Sequence, residues 1–425
     1  MGSYSPERTL QAAIAAGCLG EDRPLAAFVD VAGVAGSIEH LNTAFPVHFE
    51  HMFAAKANTM RRALELVKDL GMGCEVASPG ELEQALRSGF DPRDIVFDEP
   101  AKTASVLKKV FQAGVNLNID NLQEFSRVAE LAESCGHDLD IGFRINPQVG
   151  SGSIGAMSTA TSSSKFGVAL EDDGNHKAII GCYLDNPWMN SLHTHVGSQG
   201  CSLELMSNGV GKVTALAEEI NDRAGRKQVR VIDIGGGLPV NFRSEEVKPT
   251  FEDYAAALEE TAPALFTGRY RVKTEFGRSI MAKNGFIASR VEYTKQSGGR
   301  RIAITHAGAN VATRTIFMPD HWKIRISAFG PDGQGKAGEP VSQDIAGPLC
   351  FAGDMAGTDR ELPLIEPGDY VVLHDTGAYY FSNPFFYNAL PAPAVYGVGR
   401  NRDGSVRLDC WRERQSLEAM LAVIG

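Results

Sequence analysis

Between about residues 45 and 285, short apolar runs alternate with longer stretches whose apolar positions recur at helical spacing. Val47–Ala55 reads as a strand, and Thr59–Leu70 as an amphipathic helix with Leu64, Val67 and Leu70 on one face. Cys74–Ala77 predicts a second strand, followed by a helix from Pro79 through Leu86. The theme returns at Asp94–Phe97, Val115–Asn118, Asp140–Arg144, Asn190–His195, Val229–Ile234 and Tyr270–Glu275, giving eight candidate strands. Strands separated by helical stretches pair in parallel through right-handed crossovers, and eight such units predict a closed (β/α)8 TIM barrel. The alternative, an open doubly wound sheet, calls for G-x-G-x-x-G in its first turn, and none follows the first strand here.

After residue 286 the pattern changes. Phe286–Glu292, Arg301–Thr305, Lys323–Ile326, Tyr370–His374, Ala394–Val398 and Val406–Asp409 are short strand-like runs, separated by turns such as Gly330-Pro-Asp-Gly333. They predict a mostly antiparallel β domain, to which Leu25–Asp30 is a candidate extra strand. The expected division is a barrel over 46–285 and a β domain formed by 1–45 and 286–425. Gly150–Ser164, rich in Gly, Ser and Thr, reads as a mobile loop and candidate lid.

Composition narrows the classes. A chain of 425 residues, 43% hydrophobic, is long enough for two cores. A net charge of −11 argues against nucleic acid or an anionic membrane surface as partner, and Lys323-Ile-Arg325 is too short to be a basic stripe. No run approaches the ~18 apolar residues of a membrane span. The start, Met1-Gly-Ser-Tyr-Ser-Pro6, lacks the basic-then-apolar order of a secretory leader. Seven cysteines (Cys18, Cys74, Cys135, Cys182, Cys201, Cys350 and Cys410) without a C-x-x-C pair predict neither a disulfide framework nor a zinc site, and point to the cytoplasm.

Five places carry candidate chemistry. Lys56 ends an apolar run in Phe53-Ala-Ala-Lys-Ala-Asn58, where it is either a solvated strand-end charge or an amine whose pKa a barrel mouth would lower. Gly235-Gly236-Gly237 follows an apolar strand, as an ordinary tight turn or as a backbone cradle for a phosphate. His193 and His195 share one strand face; a core role and a ligand role are both open, and no third histidine or spaced carboxylate completes a metal set. Glu275-Phe-Gly277-Arg278 and Gly347-Pro-Leu-Cys350-Phe-Ala-Gly-Asp354 complete the series.

In this order the motifs resemble those of the diaminopimelate and ornithine decarboxylases, over roughly residues 25–400. The resemblance implies a barrel plus a β domain of the alanine racemase-like architecture, with pyridoxal 5'-phosphate as cofactor. It implies that Lys56, in A-x-K-A-N, forms the Schiff base and that His195, before Val-Gly-Ser198, stacks on the ring. Gly235, Gly236 and Gly237 would hold the phosphate, supplemented by Ser198, Gly277, Arg278 and Tyr379, and Arg144 would lie near the ring. Glu275 would pair with the ring nitrogen and keep it protonated, which makes the ring an electron sink. Cys350 would reach in from the partner subunit of a homodimer and protonate the carbon that lost its carboxylate, a thiol being a suitable acid.

The departures from the family pattern fall on substrate-reading positions. Phenylalanine replaces proline in E-P-G-R, which alters a turn and not a charge. Phe351 stands where the family has an acid for the distal ammonium. Set against the pattern without gaps, Arg314 retains the arginine for a distal carboxylate, while Met318 replaces a tyrosine. The expected function is α-decarboxylation of an amino acid with an acidic or neutral polar tail, Arg278 and Tyr379 also lining the substrate. His374-Asp375 and Asp320 are candidates for a replacement charge. A racemase of the same fold is the alternative, disfavoured because an arginine takes the place of Glu275 there; a non-catalytic regulatory homologue would lack Lys56 or Cys350, and both are present.

Overall fold

The computed structural model describes residues 5–133 and 138–425, so Cys135 and residues 1–4 lie outside the described residues. Contacts divide the chain into two units, one of Ser37–Val240 with Lys248–Ser279, the other of Met1–Gly36, Asn241–Val247 and Ile280–Gly425.

In the first unit eight parallel strands close on themselves: Phe49–Ala54, Gly73–Val76, Ile95–Phe97, Asn116–Ile119, Ile141–Asn146, Ser191–His193, Val231–Asp233 and Arg271–Phe276. Closure is made by the eighth strand on the first, with Val272 opposite Phe49 and Glu275 opposite Met52. The eight expected strands are all present. Their helices start where side chains satisfy the first free N–H groups: Ser78, Thr103, Asn121 and Ser202 each accept from the third residue on, and Thr250 forms a capping box with Asp253.

The boundaries differ from 45/46 and 285/286, for reasons of packing. Phe45 lies on Phe49 and Phe276, with ring centroids at 5.0 and 6.2 Å, so the residues just before 46 belong with the barrel. Phe242 lies edge-on to Trp322 at 5.7 Å, which assigns 241–247 to the other unit.

The second unit is a mostly antiparallel sheet. Leu25–Asp30 does join it, antiparallel to Gly285–Ser297 and parallel to Ala394–Arg400. Its core stacks Phe28 on Phe286 (4.8 Å) and on Tyr396 (5.8 Å). One expected strand moves: Lys323–Ile326 gives way to Ile326–Phe329, paired with Tyr370–Leu373. Trp322 and Ile324 supply the apolar signal there, but they are buried outside any strand. Two strands, Val341–Ala346 and Met355–Leu362, were not expected. Among the described residues no helix is long and apolar enough to cross a membrane.

Candidate active site

Several sequence-predicted residues lie at or near the C-terminal ends of the barrel strands, where a (β/α)8 fold carries its chemistry. Lys56 sits on the single turn Ala55–Ala57 after the first strand, and its Nζ donates to Glu75 Oε2 at 2.7 Å. The Lys56 side chain is 39% exposed while Glu75, in the second strand, is fully buried. Burial raises the Glu75 carboxyl above its ordinary range, and Lys56 offsets only part of that. Asp98 follows the third strand and accepts from Arg144 Nη1, at the end of the fifth, at 2.5 Å. Burial pulls Asp98 upward, but Arg144 and His193 outweigh it and hold the carboxyl low.

His195 is half-buried, and its Nδ1 accepts the Gly236 N–H at 3.1 Å. Desolvation, with Arg144 and Lys56 nearby, holds it well below the usual histidine range, so the ring is neutral at pH 7. The loop 150–164 is tied down beside it: Ser153 N–H donates to Gly200 O at 2.9 Å, Thr159 N–H to Val196 O at 3.0 Å, and Thr159 Oγ1 to His195 O.

The glycine turn after the seventh strand lies flush against its neighbours. A Cβ on Gly236 would stand 2.0 Å from Glu275 O, and one on Gly237, at φ +99°, 1.9 Å from Gly197 O. Arg278 Nε and Nη2 donate to Ser198 Oγ at 3.4 and 3.2 Å. A glycine turn, a hydroxyl and a guanidinium thus meet at one place, a donor set suited to a phosphate. Glu275 is buried, and its Oε1 has no hydrogen-bond partner among the described residues. Burial, then Glu75 and Asp98, hold its carboxyl well above the ordinary value. Burial and Glu275 push Asp233, at the end of the seventh strand, to about 8. An amine, an anion-binding turn, a neutral flat ring and a buried carboxyl with one oxygen unused are the groups that pyridoxal phosphate requires, and they fit it.

The remaining sequence candidates belong to the β unit. Cys350 is an exposed free thiol in a loop wrapped around buried Asp354, whose carboxylate accepts from Leu349 and Ala309 N–H at 2.7 Å each. Cys350 N–H donates to Asn388 Oδ1 at 2.9 Å. Phe351 lies parallel to Phe317, with centroids 5.5 Å apart and planes 3° apart, and edge-on to Tyr387 at 6.0 Å. Arg314 lies over two rings, its guanidinium 4.2 Å from the Tyr379 centroid and 5.3 Å from that of Trp322. Tyr379 has φ +66°, a left-handed backbone costing about 1–3 kcal/mol in a residue with a Cβ. Met318 ends the Arg314 helix, and its carbonyl accepts Trp322 N–H at 3.1 Å. Asp375, a candidate replacement charge, is already engaged by Arg325 at 3.1 Å and Lys283 at 3.3 Å, and His374 Nε2 lies 2.8 Å from Ser327 Oγ.

Sequence reasoning missed Glu75, Asp98 and Asp233, and left His193 without a role. Its available signal was a charged residue inside, or directly closing, an otherwise apolar barrel strand.

The chain is similar to proteins of known activity. Residues 32–282 match the family model described as pyridoxal-dependent decarboxylase, pyridoxal binding domain. The chain is 30% identical over 363 residues to diaminopimelate decarboxylase of Aquifex aeolicus, covering 85% of this chain and 83% of the relative. It is 33% identical over 339 residues to the enzyme of the same name from Pseudomonas fluorescens, covering 79% and 78%. Its structure matches that of diaminopimelate decarboxylase from Helicobacter pylori complexed with L-lysine, with a TM-score of 0.81 and 26% identity over 94% of this chain and 96% of the other. The chain belongs to the pyridoxal-dependent decarboxylase family, and it is a pyridoxal phosphate-dependent amino-acid decarboxylase.

Proposed function

We propose that the enzyme removes the α-carboxylate of an amino acid whose side-chain end is acidic or neutral and polar. The supporting observation is the ring cluster around Phe351. Where the resemblance expects an acid for a distal ammonium, the chain has a phenylalanine stacked on Phe317 and flanked by Tyr387. A cation set there would lose water without gaining a carboxylate. Arg314, whose guanidinium lies over Tyr379 and Trp322, is the residue type that pairs with a distal carboxylate in bidentate fashion.

Bound pyridoxal phosphate supplies the electron sink for the carbanion left by CO2 loss. The chain's own residues do the rest. Lys56 would hold the cofactor through its side-chain amine. Ser198, Arg278 and the Gly235–Gly237 turn would hold the phosphate, and the neutral His195 would lie against the ring. Glu275 would face the ring nitrogen and hold a proton there. Cys350 delivers a proton to the substrate Cα, from the partner subunit of a homodimer by the family resemblance.

A second reading, diaminopimelate decarboxylation, is favoured by the relatives' activity. CO2 release from purified enzyme given glutamate, aspartate, glutamine, meso-diaminopimelate, lysine and ornithine tests both. Turnover of acidic or amide substrates that falls in Arg314→Ala supports the first reading. Efficient use of meso-diaminopimelate establishes the second. Efficient use of lysine or ornithine, indifferent to Arg314→Ala, overturns the account of the pocket.

A further inference from the structure

One buried imidazole in the barrel has no part in the functions above. His193 ends the sixth strand, two residues before His195, and is wholly inaccessible to solvent. Its Nδ1 lies 3.7 Å from Asp98 Oδ1 and its Nε2 3.5 Å from Glu275 Oε2. Both nitrogens are just beyond hydrogen-bond length, and neither has another partner among the described residues. A buried polar ring with both nitrogens unsatisfied is costly unless it serves the groups on either side.

We propose that His193 is a positioning residue that controls the proton on Glu275, carrying its own hydrogen on Nδ1 toward Asp98 and presenting Nε2 as the acceptor that Glu275 faces. The proposal rests on the pairing of Glu275 with the cofactor's ring nitrogen.

Asp98 fixes one end of the chain. Its second oxygen takes Arg144 at 2.5 Å, and the pair keeps it ionised, so toward His193 it only accepts. The other charged and titratable groups acting on the imidazole are Asp233, Arg144 and Glu75, with Glu275 and His195 as its further neighbours. Burial outweighs the carboxylates among them and keeps the ring neutral, with a single N–H to place. That N–H is most stable at Nδ1, against the ionised Asp98. Nε2 is then a lone pair, which suits Glu275 only while Glu275 holds a proton. Burial, with Glu75 and Asp98 nearby, favours a proton on Glu275 in the cofactor-free site. Were Glu275 to give that proton up, the Nε2 lone pair would face an anion, and a proton taken up from solvent onto Nε2 would relieve the repulsion. The charge of Glu275 is thereby coupled to the protonation of His193.

A cation shared by Asp98, His193 and Glu275 is the rival occupant, since their ligand atoms lie within 4.8 Å of one another. Arg144 already brings a positive charge to Asp98, which opposes it.

The test uses full-length protein labelled with 15N at histidine. In the cofactor-free form, the His193 signal, assigned by its loss in His193→Gln, should show the Nδ1–H tautomer at neutral pH. Loading pyridoxal phosphate should move that signal toward imidazolium. In the loaded enzyme, His193→Phe should shift the pH midpoint of the cofactor's visible band and lower kcat by about 10- to 100-fold, the usual effect of removing such a supporting partner, with little change in KM. His193→Gln, which can place an amide oxygen near the Nε2 position, should recover part of that loss. An Nε2–H tautomer in the cofactor-free protein would overturn the proposal, as would a folded His193→Phe variant with an unshifted visible band. Glu275→Gln separates the two levels. If it alters the band and His193→Phe does not, only the role of His193 fails; if Glu275→Gln is also silent, the assignment of Glu275 fails with it.

Discussion

Asp98→Asn is the sharpest test of the barrel's charge arrangement. The substitution keeps shape and removes one negative charge from a pair whose side chains are only 7% and 5% exposed. With the charge centres about 4 Å apart and an effective dielectric of about 20, the lost attraction is about 4 kcal/mol. The amide still accepts from Arg144, retaining a neutral hydrogen bond of about 1 kcal/mol. The net cost is therefore about 3 kcal/mol, the low end of the range for leaving a buried charge without its partner. Since a folded protein holds only about 5–15 kcal/mol in all, the variant should fold but unfold at distinctly lower urea. Its pH dependence has a definite sign. Asp98 is held below its ordinary 3.8, so its contribution is complete above that value and is lost as pH falls through the lower folded-state value. The gap between wild type and variant should be full at pH 7 and narrow in strong acid. Urea titration followed by circular dichroism at pH 7 and in strong acid, at about pH 2, measures it. A loss under about 1 kcal/mol at pH 7, or a gap that widens in acid, would refute the claim that Arg144 depends on Asp98.

Gly236→Ala puts a methyl 2.0 Å from the Glu275 carbonyl, a backbone atom that cannot swing aside. It should cost about 1–3 kcal/mol and weaken cofactor binding, read by urea unfolding and cofactor titration. Asp233→Asn removes a carboxyl raised from 3.8 to about 8. Such a group favours folding most at low pH and loses that contribution as pH rises to about 8, so the variant should gain on cofactor-free wild type between pH 4 and 8 by up to about 1.4 kcal/mol per pH unit, and a pH-independent difference would contradict the shift. Lys56→Ala should lose the borohydride-reducible cofactor band and turnover. Cys350→Ala should keep the band and lose rate or product fidelity, and undiminished decarboxylation with correct product would remove the role given to Cys350.

The barrel was legible because each strand is an apolar run cut off by a turn, and a parallel strand buried on both faces has that appearance. The site was half legible. Lys56, His195, the glycine turn and Glu275 stand in recognisable motifs, but Glu75 and Asp98 are single acids in unremarkable surroundings. Pairing of the third, fourth and fifth strands brings Asp98 to Arg144, 46 residues away in the chain. In the β unit, Val341–Ala346 and Met355–Leu362 escaped notice because they are rich in polar residues. Arg300 explains part of this: its guanidinium bridges Asp344 of one to Asp359 of the other, so charge holds these strands where apolar alternation would normally announce them.

The two groups of functional residues differ in a way that constrains the reaction. Glu75, Asp98, His193, Asp233 and Glu275 are buried, and burial together with their charged neighbours governs their protonation. Cys350 is exposed, as are Phe317, Phe385 and Tyr387 beside Phe351. A thiol open to water competes with solvent for the proton transfer, because nothing there excludes water from the reacting carbon. If Cys350 is the acid, the face around it must be covered when CO2 leaves. The aromatic rings beside it are the apolar surface such a cover would bury. A second copy of the chain meets the requirement symmetrically, each subunit giving the thiol and receiving one. That arrangement has a consequence a one-chain site lacks. Inactive Lys56→Ala and inactive Cys350→Ala subunits, mixed under conditions that exchange partners, should form heterodimers with one intact site and recover activity. Absence of recovery in proven heterodimers would place acid and cofactor in the same chain.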